Sequence, residues 1–426
     1  MSTTLLLEMK KQRSNFLEKL ADSLDLTEDQ HKKAKERYQA VGEFLSQPGT
    51  LLAPYRPHVI PQGSIRIGTS TRPVIESEEF DIDLTCKLSY SFPATQSELR
   101  SLLKERLCQD ANYKRMLEEE HRRCLRLHYS EDSRFHLDIV PAISDPHQWL
   151  LDLNVPVELA QHAIVITDTQ HAFFNRKAFQ EHWPKSNTEG YALWFLEIMK
   201  KEAEQIRMKL QKELLLEKIE QVPDYKVRTP LQRGIQLMKR HRDIMFDGDE
   251  KKPTSVILTT LAAKAYESVM RNPNSLLFVD IIGQMIDLMP TFIDNTQGHW
   301  TLKNPVNPLE NFADKWNSQE DKQERAKKFF HWHQSFKKDY QQLLTEQTNE
   351  QVFELSKDRF GSRSVNLALQ SLGIATSINN VNIITNTAGV NTNTANKIIT
   401  ERINEPVKDI ENLKPIAGKS KPYYDR

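Results

Sequence analysis

Five residues, Phe80-Asp81-Ile82-Asp83-Leu84, constrain this chain more than any other stretch. Apolar residues alternate there with two carboxylates, and a strand sends residues i and i+2 to the same face. Phe80, Ile82 and Leu84 therefore turn into a core, while Asp81 and Asp83 bring two like charges to one point. Such charges repel unless something positive lies between them. Mg²⁺ suits that place, because it takes one or two carboxylates together with substrate phosphates; Mn²⁺ would substitute. Ahead of the strand, Gln62-Gly63-Ser64-Ile65-Arg66-Ile67-Gly68-Thr69 reads as a Gly-Ser turn, with Ser64 placed 17 residues before Asp81. Its backbone N–H groups and hydroxyl can meet phosphate oxygens.

A third carboxylate, Asp138, follows Asp83 by 55 residues in the alternating run Arg134-Phe135-His136-Leu137-Asp138-Ile139-Val140-Pro141. Leu137 and Ile139 share one face of that strand, and His136, Asp138 and Val140 the other. Three carboxylates are what a two-metal displacement needs, with ions about 3.5–4 Å apart clamping the attacking and leaving oxygens. Asp81 and Asp83 would bridge both ions and Asp138 would complete the one that activates the acceptor hydroxyl. Gly63 and Ser64 would hold the triphosphate. The competing reading is structural: a lone D-x-D arises by accident on a half-buried strand, and Arg66 or Arg72 would neutralise the cluster as an ion pair, since unpaired buried charge is rarely tolerated.

The 426 residues suffice for two or three domains. Lys+Arg and Asp+Glu both total 58, so the net charge is zero. That speaks against a protein that coats nucleic acid and leaves room for a local anion pocket. The cysteines, Cys86, Cys108 and Cys124, form no CxxC pair. They fit a reducing, cytoplasmic setting and are read as buried small hydrophobes. The leucine run near the start is too short for a signal-peptide core, and no stretch approaches 18 apolar residues, so no membrane partner is expected.

Along the chain, a helix is expected over residues 1–24, with Leu5, Leu6, Phe16, Leu17 and Leu20 on its apolar face. Thr27 with Gln30 forms a capping box for a second helix ending at Ser46-Gln47-Pro48-Gly49. Val59-Ile60 is a short strand, Phe80 to Leu88 a strand, Gln96 to Leu107 a helix and Cys124 to Tyr129 a strand. A turn at Glu131-Asp132-Ser133 leads into the Asp138 strand, and residues 142–187 read as irregular. From 188 onward, Leu196, Met199, Ala203, Ile206, Leu210 and Leu214 recur at helical spacing and predict one long helix. Further helices are expected from Pro230, from Thr254 as N-cap, and at Leu276–Met289, Ala313–Trp316 and Gln319–Leu344, with no strand between 190 and 345. The expected domains are thus a nucleotidyltransferase-type core at 1–187, an all-helical unit at 188–363 and an Asn/Thr-rich flexible tail at 364–426.

The Gln62-Gly63-Ser64, Gly68-Thr69, Asp81-Ile82-Asp83 and His136–Pro141 motifs together resemble the DNA polymerase β-like nucleotidyltransferase superfamily. The segments Leu231–Asp243, Pro253-Thr254-Ser255 and Asn304–Phe312 with Trp316 resemble, more narrowly, the bacterial cGAS/DncV-like nucleotidyltransferases, which make cyclic oligonucleotide second messengers in anti-phage signalling. The resemblance covers roughly residues 25–345. It implies an α/β core with a mixed sheet, nucleoside triphosphate substrates (ATP and GTP, or pyrimidine nucleotides), and Lys239 and Ser255 as contacts to the β and γ phosphates. The helix N-terminus at Ser255 would add its dipole. Lys226, Arg228, Arg233, Lys239, Arg240 and Arg242 would supply a positive field, or form a solvated helix face. Tyr191 and Trp194 would stack on a base or pack between domains. His331 and His333 read as helix surface. The resemblance also implies an accessory regulatory protein, with Lys414–Arg426 as its handle. Two alternatives stay open: a linear-oligonucleotide or RNA-modifying nucleotidyltransferase, and a nucleotide-binding scaffold without turnover.

Overall fold

The computed structural model describes residues 3–74, 80–89, 95–118, 121–129, 135–177, 182–216, 218–271, 276–321, 323–346 and 348–374. Helix starts follow their caps. Thr27 Oγ1 accepts from the Gln30 N–H at 3.1 Å, and the Gln30 side chain returns to the Thr27 N–H, opening the helix Glu28–Ser46. The same reciprocal box, with Thr95 and Glu98, opens Gln96–Cys108, and with Thr229 and Gln232 it opens Pro230–Met245. Each cap is worth about 1 kcal/mol.

Six strands form one mixed sheet: β1 His58–Pro61, β2 Phe80–Leu88, β3 Leu125–Tyr129, β4 Phe135–Ser144, β5 Ile164–Ile166 and β6 Lys185–Ser186. Their order is β1-β2-β4-β5-β6, with β3 also on β4. The β2–β4 pair is parallel and the other pairs are antiparallel. Ile82, Leu84, Leu137 and Ile139 are fully buried on the face covered by the helices Glu28–Ser46 and Gln96–Cys108. The alternation in β2 and β4 thus orients the strands as expected. The strands β5 and β6 lie in the stretch read as irregular. Three and two residues are too few to show a period.

The second half is helical around a separate core that includes Tyr266, Phe329, Trp332 and Phe336. The single helix expected after 188 is two, Thr188–Ile198 and Lys200–Glu213. They part at Met199, whose φ −111° and ψ 9° leave the helical region while the apolar spacing runs on across the break. A small antiparallel pair, β7 Lys303–Asn304 and β8 Asn307–Asn311, stands where no strand was expected. Pro305 and Pro308 hide its pattern in the sequence.

The N-terminal helix Thr3–Leu24 buries Phe16, Leu17 and Leu20 in the helical core rather than against the sheet, with Phe16 against Phe353 at 5.1 Å between ring centroids. Leu5 and Leu6 are exposed, not on its apolar face. The ordered chain also continues past 364: the helix Ser362–Ser371 buries Val365, Ala368 and Leu369 in the same core. His333 is buried too, its ring against the Ile286 carbonyl at 2.7 Å. Cys86 is buried, whereas Cys108 and Cys124 are partly exposed. The expected turn at Glu131–Ser133, the Asn/Thr-rich segment from Ile378 and the handle Lys414–Arg426 lie outside the described residues. Among the described residues no helix is long and apolar enough to cross a membrane.

Candidate active site

Strand register assembles the acidic patch. Asp138 on β4 pairs with Asp83 on β2 and with Arg126 on β3, so the three side chains form one row across three strands. Asp81 leads the neighbouring row. Arg126 grips Asp138 with two parallel bonds, Nε to Oδ1 and Nη2 to Oδ2, both 2.7 Å, and lies 3.5 Å from Asp81. Such a fork is the strong form of an arginine–carboxylate pair, and it holds the guanidinium well above the usual arginine range. The structural ion pair anticipated in the sequence therefore exists, but with a different arginine. Arg66 is held by Glu189 at 2.7 Å, and Arg72 donates to the Asp25 carbonyl. Arg126 was missed, although the alternation Leu125-Arg126-Leu127 already puts it on the polar face. The Cys124 thiol lies by Asp138 and is pushed up to about 12, first by burial and then by that carboxylate.

Burial pushes the Asp83 carboxyl up to about 6, and the charges of Asp138 and Asp81 add to the rise against the pull of Arg126 and Lys239. Among the described residues no three carboxylate, imidazole or thiol side chains already surround one point as a metal cage. Asp138 spends both oxygens on Arg126. Asp81 and Asp83 nonetheless fit a hard divalent cation: they are pure oxygen donors on one face, and a cation would relieve the repulsion that strains Asp83.

The Gly-Ser element is the start of a five-residue helix, Gly63–Ile67, rather than an isolated turn. Gly63 has φ +61°, and a Cβ there would lie 2.3 Å from Asp83 Oδ2. Only glycine lets this backbone approach the carboxylate so closely. The Gln62 N–H donates to the Asp83 carbonyl at 2.8 Å, which ties the helix entry to β2. The Ser64 hydroxyl pairs with Ser70 at 3.0 Å.

The basic helix Pro230–Met245 is a set of staples. Three residues spaced i, i+4 and i+7 fall on one helix face and fasten the chain after Gly63–Ile67. Gln232 donates to the Ile67 carbonyl at 2.9 Å, Gln236 to the Ser70 carbonyl at 2.7 Å, and Lys239 to the Thr69 carbonyl at 3.0 Å. Arg240 reaches the Arg72 carbonyl and Ser364. Arg233 is tied to Asp22, and Arg228 to Asp25. Lys226 lies by Glu28 at 3.8 Å. The expected positive field is thus mostly spent on partners. Burial pulls Lys239 down to about 7, with Arg242 adding to the fall against Asp243 and Asp83. Ser255 begins the helix Ser255–Met270 and accepts from Arg242 at 2.9 Å; Thr254 holds the N-cap position without a side-chain cap bond.

A cavity of about 750 Å³ lies between sheet and helices. Gly63, Ser64, Asp81, Asp83, Lys239 and Ser255 all line it, so the residues from both halves of the sequence converge; Asp138, the register neighbour of Asp83, is not among the lining residues. Tyr191 lines it as well, its hydroxyl on Thr260 at 2.9 Å, while Trp194 packs on the helical core.

Known proteins bear on this cavity. Residues 9–160 match the Second Messenger Oligonucleotide or Dinucleotide Synthetase domain. A protein from Roseivirga ehrenbergii described as a c-di-GMP synthase is 31% identical over 358 residues, covering 83% of this chain and 85% of the relative. The cyclic dinucleotide synthase CdnG of Bradyrhizobium diazoefficiens is 24% identical over 70% of this chain and 69% of its own. Its structure in complex with GTP superposes with a TM-score of 0.61, covering 85% of this chain and 99% of that one. The CdnC of E. coli MS115-1, solved in a complex with HORMA, shares the fold at a TM-score of 0.51 and 12% identity, over 80% of this chain and 94% of that one.

Proposed function

Since the chain belongs to the bacterial cGAS/DncV-like nucleotidyltransferases, we propose that it joins two nucleoside triphosphates into a cyclic dinucleotide and releases pyrophosphate at each bond. The observation that carries this reading is the row Asp83, Asp138 and Arg126 beside Asp81, at the edge of a cavity whose opposite lining holds Lys239 and Ser255. The reaction is attack of a ribose hydroxyl on the α-phosphate of a bound triphosphate. Asp81 and Asp83 would hold Mg²⁺ or Mn²⁺, which when bound supplies charge neutralisation at the α-phosphate and a more acidic acceptor hydroxyl. Asp138 is the register neighbour of Asp83 with both oxygens held by Arg126, and it would join that set only on leaving the arginine. Gly63 lets the nucleotide lie against Asp83, and Ser64 lines the phosphate path. Lys239 holds the Thr69 segment and adds positive charge next to the triphosphate. Ser255 brings a hydroxyl and a helix N-terminus.

Purified protein incubated with all four nucleoside triphosphates and Mg²⁺ is expected to give a phosphatase-resistant product with a cyclic dinucleotide mass, together with pyrophosphate. Phosphatase-sensitive chains would instead favour the linear-oligonucleotide alternative. Nucleotide binding without pyrophosphate would favour the silent scaffold.

The same reading places the enzyme in the cytoplasm and in anti-phage signalling, with an accessory protein as regulator. Residues beyond 374 are the place to seek that contact, because a cut at 363 would remove the buried helix Ser362–Ser371. Truncation after residue 374 is expected to keep cyclic product formation in vitro and to lose protection against phage in cells. Full protection by the truncated protein removes the tail from the regulatory scheme.

A further inference from the structure

One wall of the cavity differs chemically from the phosphate side. It is made by Tyr191, Phe312 and Glu310. Glu310 and Phe312 are two apart along β8 and its exit, so they share a face. The intervening Asn311 turns the other way, where its amide accepts from the Leu302 N–H and donates to the Trp300 carbonyl. The Phe312 and Tyr191 rings meet edge to face, 6.1 Å apart at 82°. An aromatic wall beside a carboxylate is what a planar, hydrogen-bonding heterocycle requires.

The Glu310 carboxylate is held in advance of any ligand. Asn304 Nδ2 donates to its Oε2 at 2.7 Å, and Asn304, itself buried, is fixed through its Oδ1 by the Val306 N–H at 3.0 Å. Its side-chain partners are the amides of Asn304 and Asn307 rather than a cation. Arg123, the cation that acts on it from a distance, is committed to Asp168 at 3.1 Å; Asp314 is the nearby like charge. A half-buried carboxylate held by neutral amides keeps acceptor capacity for a ligand.

Among the bases, guanine offers adjacent N1–H and N2–H donors, which a carboxylate accepts as a pair. Adenine turns an acceptor nitrogen to the same place, and uracil flanks its one N–H with two carbonyls. We propose that Glu310 reads the Watson–Crick edge of guanine against the Tyr191–Phe312 wall, making GTP the nucleotide this cavity selects. The inference rests on the nucleotidyl transfer proposed above and adds its base and the residue that chooses it. Sites built to pair a substrate's polar group discriminate strongly against analogues lacking it, because the protein group is left unpaired.

Inosine triphosphate, which lacks the N2 amine, isolates the contact. The parent is expected to use GTP at least about 10-fold better than inosine triphosphate by kcat/KM, and on the order of 100-fold better than ATP. In Glu310→Gln the GTP value falls at least about 10-fold, the GTP-to-inosine ratio collapses toward one, and the melting midpoint stays put. Equal use of GTP and inosine triphosphate by the parent overturns the proposal. So does a Gln variant that loses GTP and ATP turnover in equal measure. Equilibrium binding of non-hydrolysable GTP, inosine triphosphate and ATP analogues runs in parallel. Should no nucleotide be turned over, the transfer reading fails, while the binding ratios still decide the role of Glu310.

Discussion

Asp83→Asn is expected to lose product formation by on the order of 10³-fold while making the metal-free protein more stable above about pH 6. The two effects have one cause. Asp83 lies in the fold with its carboxyl pushed up from the ordinary aspartate range to about 6, first by burial and then by Asp138 and Asp81. A raised carboxyl pKa means that the folded chain holds a proton that the unfolded chain has already released. Stability therefore falls as pH rises from about 4 to about 6, and the full cost, about 3 kcal/mol, is carried above that window. Asparagine keeps the shape and removes the charge, so the variant's melting midpoint should hold level through the window while the parent's declines. Asp81 is the control. Its side chain is 57% exposed and its charge is the smallest of the named causes of the Asp83 rise, so Asp81→Asn should lose activity on a similar scale while gaining clearly less stability than Asp83→Asn. Thermal melts across pH 4 to 8, alongside pyrophosphate release, read both effects. A Asp83→Asn variant that keeps a tenth of parental activity, or that melts in parallel with the parent at every pH, contradicts the assignment of Asp83 as the strained carboxylate of the site.

The carboxylates of the candidate site were legible where local periodicity fixes direction. Asp81, Asp83 and Asp138 each alternate with apolar neighbours, and a one-residue slip would have buried their charges, so their face is dictated by the strand itself. The capping box at Thr27 is equally local. The partners of these residues were not legible, because they come from strand register and from chain segments far apart. Arg126 meets Asp138 only because β3 returns along β4, and nothing in the separation of the two residues names that pairing against Arg66 or Arg72. Most of the basic residues of the Pro230 helix read as a positive field for a triphosphate, yet Arg240 spends its charge on the Arg72 carbonyl and on Ser364. A run of cations has the same sequence signature whether its partners are phosphates or backbone carbonyls of another segment. The wall at Glu310 was hidden for a different reason. Pro308 interrupts a five-residue strand and Pro305 stands just ahead of it, so the alternation that aims Glu310 and Phe312 together cannot be recognised before β7 and β8 are paired.

Gly63→Ala tests whether the close approach of that backbone to Asp83 is part of the site or merely a feature of the turn. Two costs separate cleanly here. The φ of +61° strains any residue with a Cβ, by roughly 1–2 kcal/mol. The added methyl would also lie 2.3 Å from Asp83 Oδ2, which no packing tolerates, so the carboxylate must turn away or the helix Gly63–Ile67 must shift. The end of that helix at Ile67 and the chain leaving it at Thr69 and Ser70 are held by Gln232, Lys239 and Gln236, which leaves Asp83 as the group that yields. A misplacement of about 1 Å at a reacting centre costs on the order of 100-fold in rate. Gly63→Ala should therefore fold, melt a few degrees lower, and lose about 100-fold in product formation. Gly49→Ala supplies the comparison: φ there is +75° with nothing within 4 Å of the new Cβ, so it carries the backbone strain without the clash. Equal losses of stability in the two variants, with activity lost in Gly63→Ala alone, assign the rate effect to Asp83. Activity retained within threefold in Gly63→Ala would show that the backbone at 63 does not set the carboxylate's position.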